Sequence, residues 1–171
     1  MVKKSKLVFM LSFCKKIIIL LLLFLPLISL AENNQNINLA ELLQNSTNII
    51  NQQNINYKNY QEKPVALIYW TWWCNICKQQ LQNLNSLQKH NANNQFYIIG
   101  VSVDDPQKNH KKTLKIAKNL QFDNFYLNQQ KSTYQPETIP TTFIFNKQHQ
   151  QIAKIEGILD EKELSKIIFS Q

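Results

Sequence analysis

Glycine is almost missing from this chain: two residues in 171, alongside five prolines. That scarcity excludes collagen-like and linker-like sequences. No self-similar period of about 20–50 residues is visible, which removes solenoids and propellers. Charged residues make up 18% against 44% hydrophobic, so the chain is not a disordered acidic or basic tail. There is no glycine-rich phosphate loop, and no organic cofactor is implied. Amides, by contrast, are abundant. Asn and Gln total 40, and they fill helix surfaces as well as turns, so they mark boundaries poorly. The length allows one ordinary domain plus a small extra.

The net charge of +8 is misleading. Lys3, Lys4, Lys6, Lys15 and Lys16 lie in the first 16 residues, and no acid occurs before Glu32. Beyond them, 14 lysines face 11 acids, a balance of +3. What remains shows no basic cluster with interleaved aromatics, so no nucleic-acid partner is implied.

Residues 17–25 read IIILLLLFL, and the apolar run continues to Ala31. Lysines precede it, and Ser29-Leu30-Ala31 puts small residues where a signal peptidase reads. The run is about 15 residues, shorter than the roughly 20 that a spanning helix needs. Residues 1–31 therefore read as a cleaved export signal, with Glu32 as the first mature residue. The alternative is an uncleaved membrane anchor through residues 17–31, favoured by the long leading region with its own apolar stretch Leu7–Cys14. Cys14 is not placed for lipoprotein processing, because Lys15, Lys16 and the main apolar run follow it. Cleavage leaves Cys74 and Cys77 alone in a compartment where disulfides persist. Three residues apart, they cannot staple distant parts of a fold, so they serve chemistry or a metal.

Residues 32–63 hold 15 amides and few large apolar side chains. They read as a polar, loosely packed lead-in. It contains a short helix at Asn38–Leu43, a turn at Ile49–Ile50 and an edge strand at Ile55–Tyr60. From Pro64 to the end the texture is that of a domain. Val65–Trp70 is a continuous apolar run, as in a strand buried on both faces. Cys77, Leu81, Leu84 and Leu87 then recur at helical spacing. Phe96–Val103 reads as a second buried strand. Asp105-Pro106 opens a helix as N-cap and first helical residue, with Leu114, Ala117 and Leu120 on its apolar face. Phe122–Leu127 is a third strand. Thr141–Phe145 and Gln151–Glu156 form a hairpin, and Asp160 with Glu163 starts the last helix like a capping box. Leu164, Ile167 and Ile168 make its apolar stripe. The order predicts an α/β fold with a central mixed β-sheet flanked by helices on both faces.

Cys74 falls at the start of the first of these helices and Cys77 one turn in. Unpaired N–H groups and the positive end of the helix dipole stabilise a thiolate there. Cys74, the more exposed, is suited to attack a disulfide, and Cys77 behind it to resolve the mixed disulfide. A C-x-x-C is also half of a zinc site, but four ligands are needed. His90, His110 and His149 are scattered without paired spacing. An inert structural disulfide is a further alternative. Trp73 adjoins Cys74 and is a candidate substrate contact; the other tryptophans read as core or rim.

These residues carry a resemblance. Tyr69-Trp70-Thr71-Trp72-Trp73-Cys74-Asn75-Ile76-Cys77 resembles the F-W-x-x-W-C-x-x-C signature of the thioredoxin superfamily. Thr138-Ile139-Pro140-Thr141-Thr142-Phe143 resembles its cis-proline segment. Over residues 60–170 the chain looks most like the exported TlpA-like thiol–disulfide oxidoreductases, because of the signal, the IIGVSVDD strand end and the long Cys77–Pro140 gap. The resemblance implies a thioredoxin-like fold over residues 64–171 and a redox-active Cys74–Cys77 disulfide. It also implies a cis bond before Pro140, substrate contact at Ile139, and no cofactor beyond the cysteine pair. Protein disulfides would be the substrates, a membrane thiol carrier the electron donor, and the periplasm or the outer face of the cytoplasmic membrane the location.

Two departures matter. Asn75-Ile76 replaces a dipeptide that often ends in proline. Ile68 stands where many thioredoxins keep a buried acid that takes the proton of the second cysteine. Asp104 and Asp105 are substitute bases, with Glu137 a weaker one. Asp105 matches an acid that some TlpA-like reductases use, although an N-cap before Pro106 explains it as well. The expected activity is reduction of protein disulfides. Disulfide formation or isomerisation is the alternative, and a soft-metal, copper-binding chaperone is the rival of another class.

Overall fold

The computed structural model describes residues 36–91, 93–128 and 134–170. The export signal or anchor expected over residues 1–31 lies outside them. Among the described residues no helix is long and apolar enough to cross a membrane.

The elements follow in the order α1 (Leu39–Gln44), β1 (Ser46–Asn48), a 3-10 turn (Tyr57–Tyr60), β2 (Val65–Trp70), α2 (Asn75–His90), β3 (Tyr97–Ser102), α3 (Pro106–Ala117), β4 (Asp123–Leu127), β5 (Thr141–Phe145), β6 (Gln151–Glu156) and α4 (Glu161–Phe169). The six strands form one sheet in the order β1-β4-β3-β2-β5-β6. β2, β3 and β4 run parallel, and β1, β5 and β6 pair antiparallel to their neighbours. Every residue of β2 is buried, as its unbroken apolar run predicts.

Alternation along β2 sorts the core into two layers. Ala66, Ile68 and Trp70 pack with Cys77, Leu81, Leu84 and Leu87 of α2, Ala117 of α3, and Leu164 and Ile168 of α4. Val65, Leu67 and Tyr69 face the other way, onto Leu39, Leu42 and Leu43 of α1, Tyr60 and Tyr134. Among the described residues helices thus cover both faces unequally, three against one short helix. The helix starts are chemically specified. Asp105 caps α3 ahead of Pro106, and Asp160 with Glu163 makes a reciprocal capping box on α4.

The amide-rich lead-in departs from the expectation. The expected helix is present as α1, but the edge strand is Ser46–Asn48, paired with β4, and Tyr57–Tyr60 is a 3-10 turn. The segment is also not loosely packed: Ile37, Leu39, Leu42, Leu43 and Ile49 are all buried. Side-chain amides explain the rearrangement. Asn48 Oδ1 accepts the N–H groups of Ile50 and Asn51, at 2.8 and 3.1 Å, and folds the chain back after β1. Asn56 Oδ1 accepts the Lys58 N–H and starts the 3-10 turn instead of a strand.

Gly100 sits at the middle of β3, between Ile68 and Asn124. A Cβ there would stand 2.0 Å from Asn124 Oδ1 and 3.0 Å from the Trp70 indole nitrogen. Glycine is therefore what leaves room for the Asn124 amide and, beside it, the indole of Trp70, the last residue before the cysteine-bearing turn.

Candidate functional site

β2 and β3 are parallel and in register, with Trp70 opposite Ser102, so both chains leave the sheet at the same edge. β5 runs the other way and begins there, with Thr141 opposite Tyr69. Three segments therefore converge: Thr71–Cys74 after β2, Val103–Asp105 after β3, and Thr138–Pro140 before β5. The Ile139–Pro140 peptide is cis.

Cys74 is the N-cap of α2, and its sulfur accepts the Cys77 N–H at 3.0 Å. This is the contact expected of a helix start that favours a sulfur anion. Cys74 and Cys77 are joined as a disulfide. Cys74 is 8% exposed and Cys77 0%, so any partner reaches Cys74 first. Near it in the chain Trp73 and Ile76 stand 61% and 53% exposed, an apolar rim. Ile68 lies in the same buried cluster as Cys77. The position beneath the second cysteine is thus apolar.

Asp104 and Asp105 do different things. Asp105 accepts the Gln107 N–H at 2.9 Å and pairs with Lys108 at 3.4 Å. The Gln107 N–H, with help from Lys108, holds its carboxyl below the usual carboxylate range, which makes it a weaker base. Asp104 is buried and receives four donors. The Trp72 N–H and the Thr113 hydroxyl each lie 3.0 Å from its Oδ2, the Ser102 hydroxyl 2.8 Å, and the Thr71 hydroxyl donates to Oδ1. One carboxylate thereby ties the turn before Cys74 to the end of β3 and to α3. Sequence reasoning grouped Asp104 with Asp105 as a base and missed this tie. The available signals were polar Thr113 beside the apolar face of α3 and Ser102 at the end of an apolar strand.

A second contact from α3 was also missed: Lys112 Nζ lies 3.9 Å from the centre of the Trp72 ring. Among the other expected site residues, Ile139 packs against both core clusters and lines a cavity of about 300 Å³ with Glu137 and Leu127. A larger cavity, about 680 Å³, opens beside Asp104, Asp105, His110 and Tyr126. The histidines are engaged separately, His90 with Glu161, His110 with Tyr126 and His149 with Tyr57. Among the described residues no three His, Cys, Asp or Glu side chains are grouped to hold a metal.

A helix-capping disulfide and a cis-proline strand start lie at the same edge of the sheet, and a family match accompanies them. The model of a thioredoxin-like family covers residues 61–151, more than half of the chain. The chain belongs to the thioredoxin-like family. No curated protein matches the sequence. Solved structures do. StoA from Bacillus subtilis is 21% identical with a TM-score of 0.58, over 73% of this chain and 92% of that one. A secreted thiol-disulfide isomerase from Corynebacterium glutamicum is 18% identical with a TM-score of 0.65, over 75% and 83%. A secreted Mycobacterium tuberculosis disulfide oxidoreductase homologous to E. coli DsbE is 16% identical with a TM-score of 0.60, over 75% and 97%. At such identities the likeness is one of fold.

The Asp104 tie has a measurable consequence. Asp104→Asn keeps the shape but removes the charge that four donors address, so it should cost about 1–3 kcal/mol of unfolding free energy. Urea denaturation reads this, with Thr113→Val, which removes one donor, expected to cost less. An unchanged urea midpoint for Asp104→Asn would show that the carboxylate does not hold the turn.

Proposed function

We propose that the chain is an exported, TlpA-like thiol–disulfide oxidoreductase that reduces protein disulfides through Cys74 and Cys77. The observation that carries this reading is the Cys77 N–H directed at the sulfur of a slightly exposed Cys74, with fully buried Cys77 bonded behind it. The solved structures that share the fold include a secreted disulfide oxidoreductase and a secreted thiol-disulfide isomerase, which supports the class of chemistry and the location.

The cycle starts from the dithiol. The Cys74 thiolate attacks one sulfur of a substrate disulfide. The substrate S–S bond breaks, its other sulfur leaves as a thiolate and takes a proton, and Cys74 is left in a mixed disulfide. Cys77 loses its proton and attacks Cys74 Sγ, releasing the second substrate thiol and closing the Cys74–Cys77 disulfide. Two electrons pass from the cysteine pair to the substrate. A membrane thiol carrier returns the chain to the dithiol. Trp73 supplies apolar contact at the rim, and Ile139 before Pro140 offers backbone to the substrate. For the Cys77 proton, the weakened basicity of Asp105 counts against it as the acceptor, while Asp104 reaches the turn itself.

Cys74→Ser should abolish disulfide reduction, and Cys77→Ser should accumulate mixed disulfides with substrate, visible on non-reducing gels. Trapping by Cys74→Ser instead would exchange the attacking and resolving roles. The direction of transfer is read from the reduction potential of the pair. A value near that of thioredoxin, about −270 mV, is expected, whereas one near the DsbA value of about −120 mV would make the protein an oxidant.

Export rests on the apolar run ending at Ser29-Leu30-Ala31, too short to span comfortably. Intact-mass analysis of protein from the exported fraction should find a chain starting at Glu32. A mass that includes residues 1–31 would mean an anchored protein instead.

A further inference from the structure

α3 is a helix of one charge. Lys108, Lys111, Lys112 and Lys115 lie within it and Lys118 at its C-cap, all exposed, with no acid from Pro106 to Lys118. The other described residues carry eight lysines against ten acids. The positive charge of the folded region is therefore gathered on one element. Steps of three and four residues put these lysines on a common face, opposite the buried Thr113 and Ala117. Among the described residues only Lys108 of the five has an acidic partner, Asp105. Like charges at this spacing repel by a few tenths of a kcal/mol per pair, so nothing within the helix accounts for the arrangement.

The position of the stripe gives it a use. Lys112 sits over the Trp72 ring, and Trp72 is two residues from Cys74. At Lys112 the lysine face thus meets the turn that leads to Cys74 and carries exposed Trp73, and it extends over the roughly 18 Å length of the twelve-residue α3. We propose that this face docks an acidic segment of the polypeptide whose disulfide meets Cys74. An extended chain covers about 3.3 Å per residue, so acids within roughly five positions of the reacting cysteine reach the stripe. The inference rests on the oxidoreductase reading and narrows its substrates to proteins with acidic residues flanking the cystine. Attraction of this kind acts mainly on the rate of encounter, is strongest at low salt, and selects against basic partners. A polypeptide is favoured over a lipid surface because the stripe touches, through Lys112 on Trp72, the turn that carries Cys74, where a disulfide-bearing partner must come.

The test uses the full chain in its reduced form and three disulfide-linked fluorogenic peptides. They are identical except that the residues flanking the cystine are Glu, Gln or Lys. Second-order rates are compared at about 0.01 M and 0.15 M ionic strength, where the screening length falls from about 30 to 8 Å. The Glu peptide should react about tenfold faster than the Lys peptide at low salt, within the range known for electrostatic steering. The advantage should shrink at the higher salt. Replacing Lys108, Lys111 and Lys115 together by Gln, a residue that keeps an exposed helix, should collapse the ratio towards one. Equal rates for the three peptides would overturn the docking proposal and leave the oxidoreductase reading standing. A triple variant with the full ratio would overturn it too. So would lysine-dependent binding to phosphatidylglycerol vesicles by a protein that does not discriminate among the peptides, which would make the stripe a membrane face. Failure to reduce any peptide would remove the oxidoreductase reading, and the proposal with it.

Discussion

The Asp104 carboxylate is the point where strand, turn and helix are made one object. A buried charge is tolerated only when donors replace the water it has lost, and here four do, from the β2–α2 turn, the end of β3 and α3. The requirement works in both directions. The carboxylate needs its donors, and the turn carrying Trp72 and Cys74 needs a fixed acceptor to hold its shape. Parallel pairing of β2 with β3 makes this affordable, because Trp70 opposite Ser102 brings both exits to one edge. The placement of the cysteine pair is thus a consequence of sheet register before it is a matter of sulfur chemistry.

The same register explains what was legible beforehand. β2, β3 and the β5–β6 hairpin are unbroken apolar runs or short alternating ones bounded by polar turns, and their positions follow from periodicity alone. The starts of α3 and α4 were legible because capping chemistry is local: Asp105 with Pro106, and Asp160 with Glu163. The cysteine pair and Pro140 were legible through a spacing shared with a family. β1 was not, because three polar residues, Ser46-Thr47-Asn48, carry no period. Their strand character comes from β4, whose edge they cover.

The other omissions are relations between elements. Nothing in the order of residues says that Thr113 and Ser102 share an acceptor, or that Lys112 lies on Trp72. A scan for basic clusters with aromatics along the chain cannot find a cluster whose aromatic member comes from another element 40 residues away. Such contacts appear only once α3 is laid across the sheet. That is also why Asp104 and Asp105, adjacent in sequence, proved so different: one turns inward to the tie, the other outward to cap a helix and meet Lys108.

Those relations bear on the resolving step of the proposed cycle. Cys77 is fully buried, in one cluster with Ile68, Trp70, Leu81 and Leu84. Apolar surroundings favour the neutral thiol, and the family's usual acid is absent at position 68. In the proposed cycle the attacking sulfur has the Cys77 N–H beside it, whereas Cys77 itself sits among apolar side chains. The helix start thus assists attack by Cys74 in that cycle, and the apolar cluster around Cys77 gives resolution no such assistance. A wrong partner, once joined to Cys74, would then occupy the site until Cys77 resolves it. Under the docking proposal the lysine face would sort partners before the sulfurs meet, which is the step where selection has most effect.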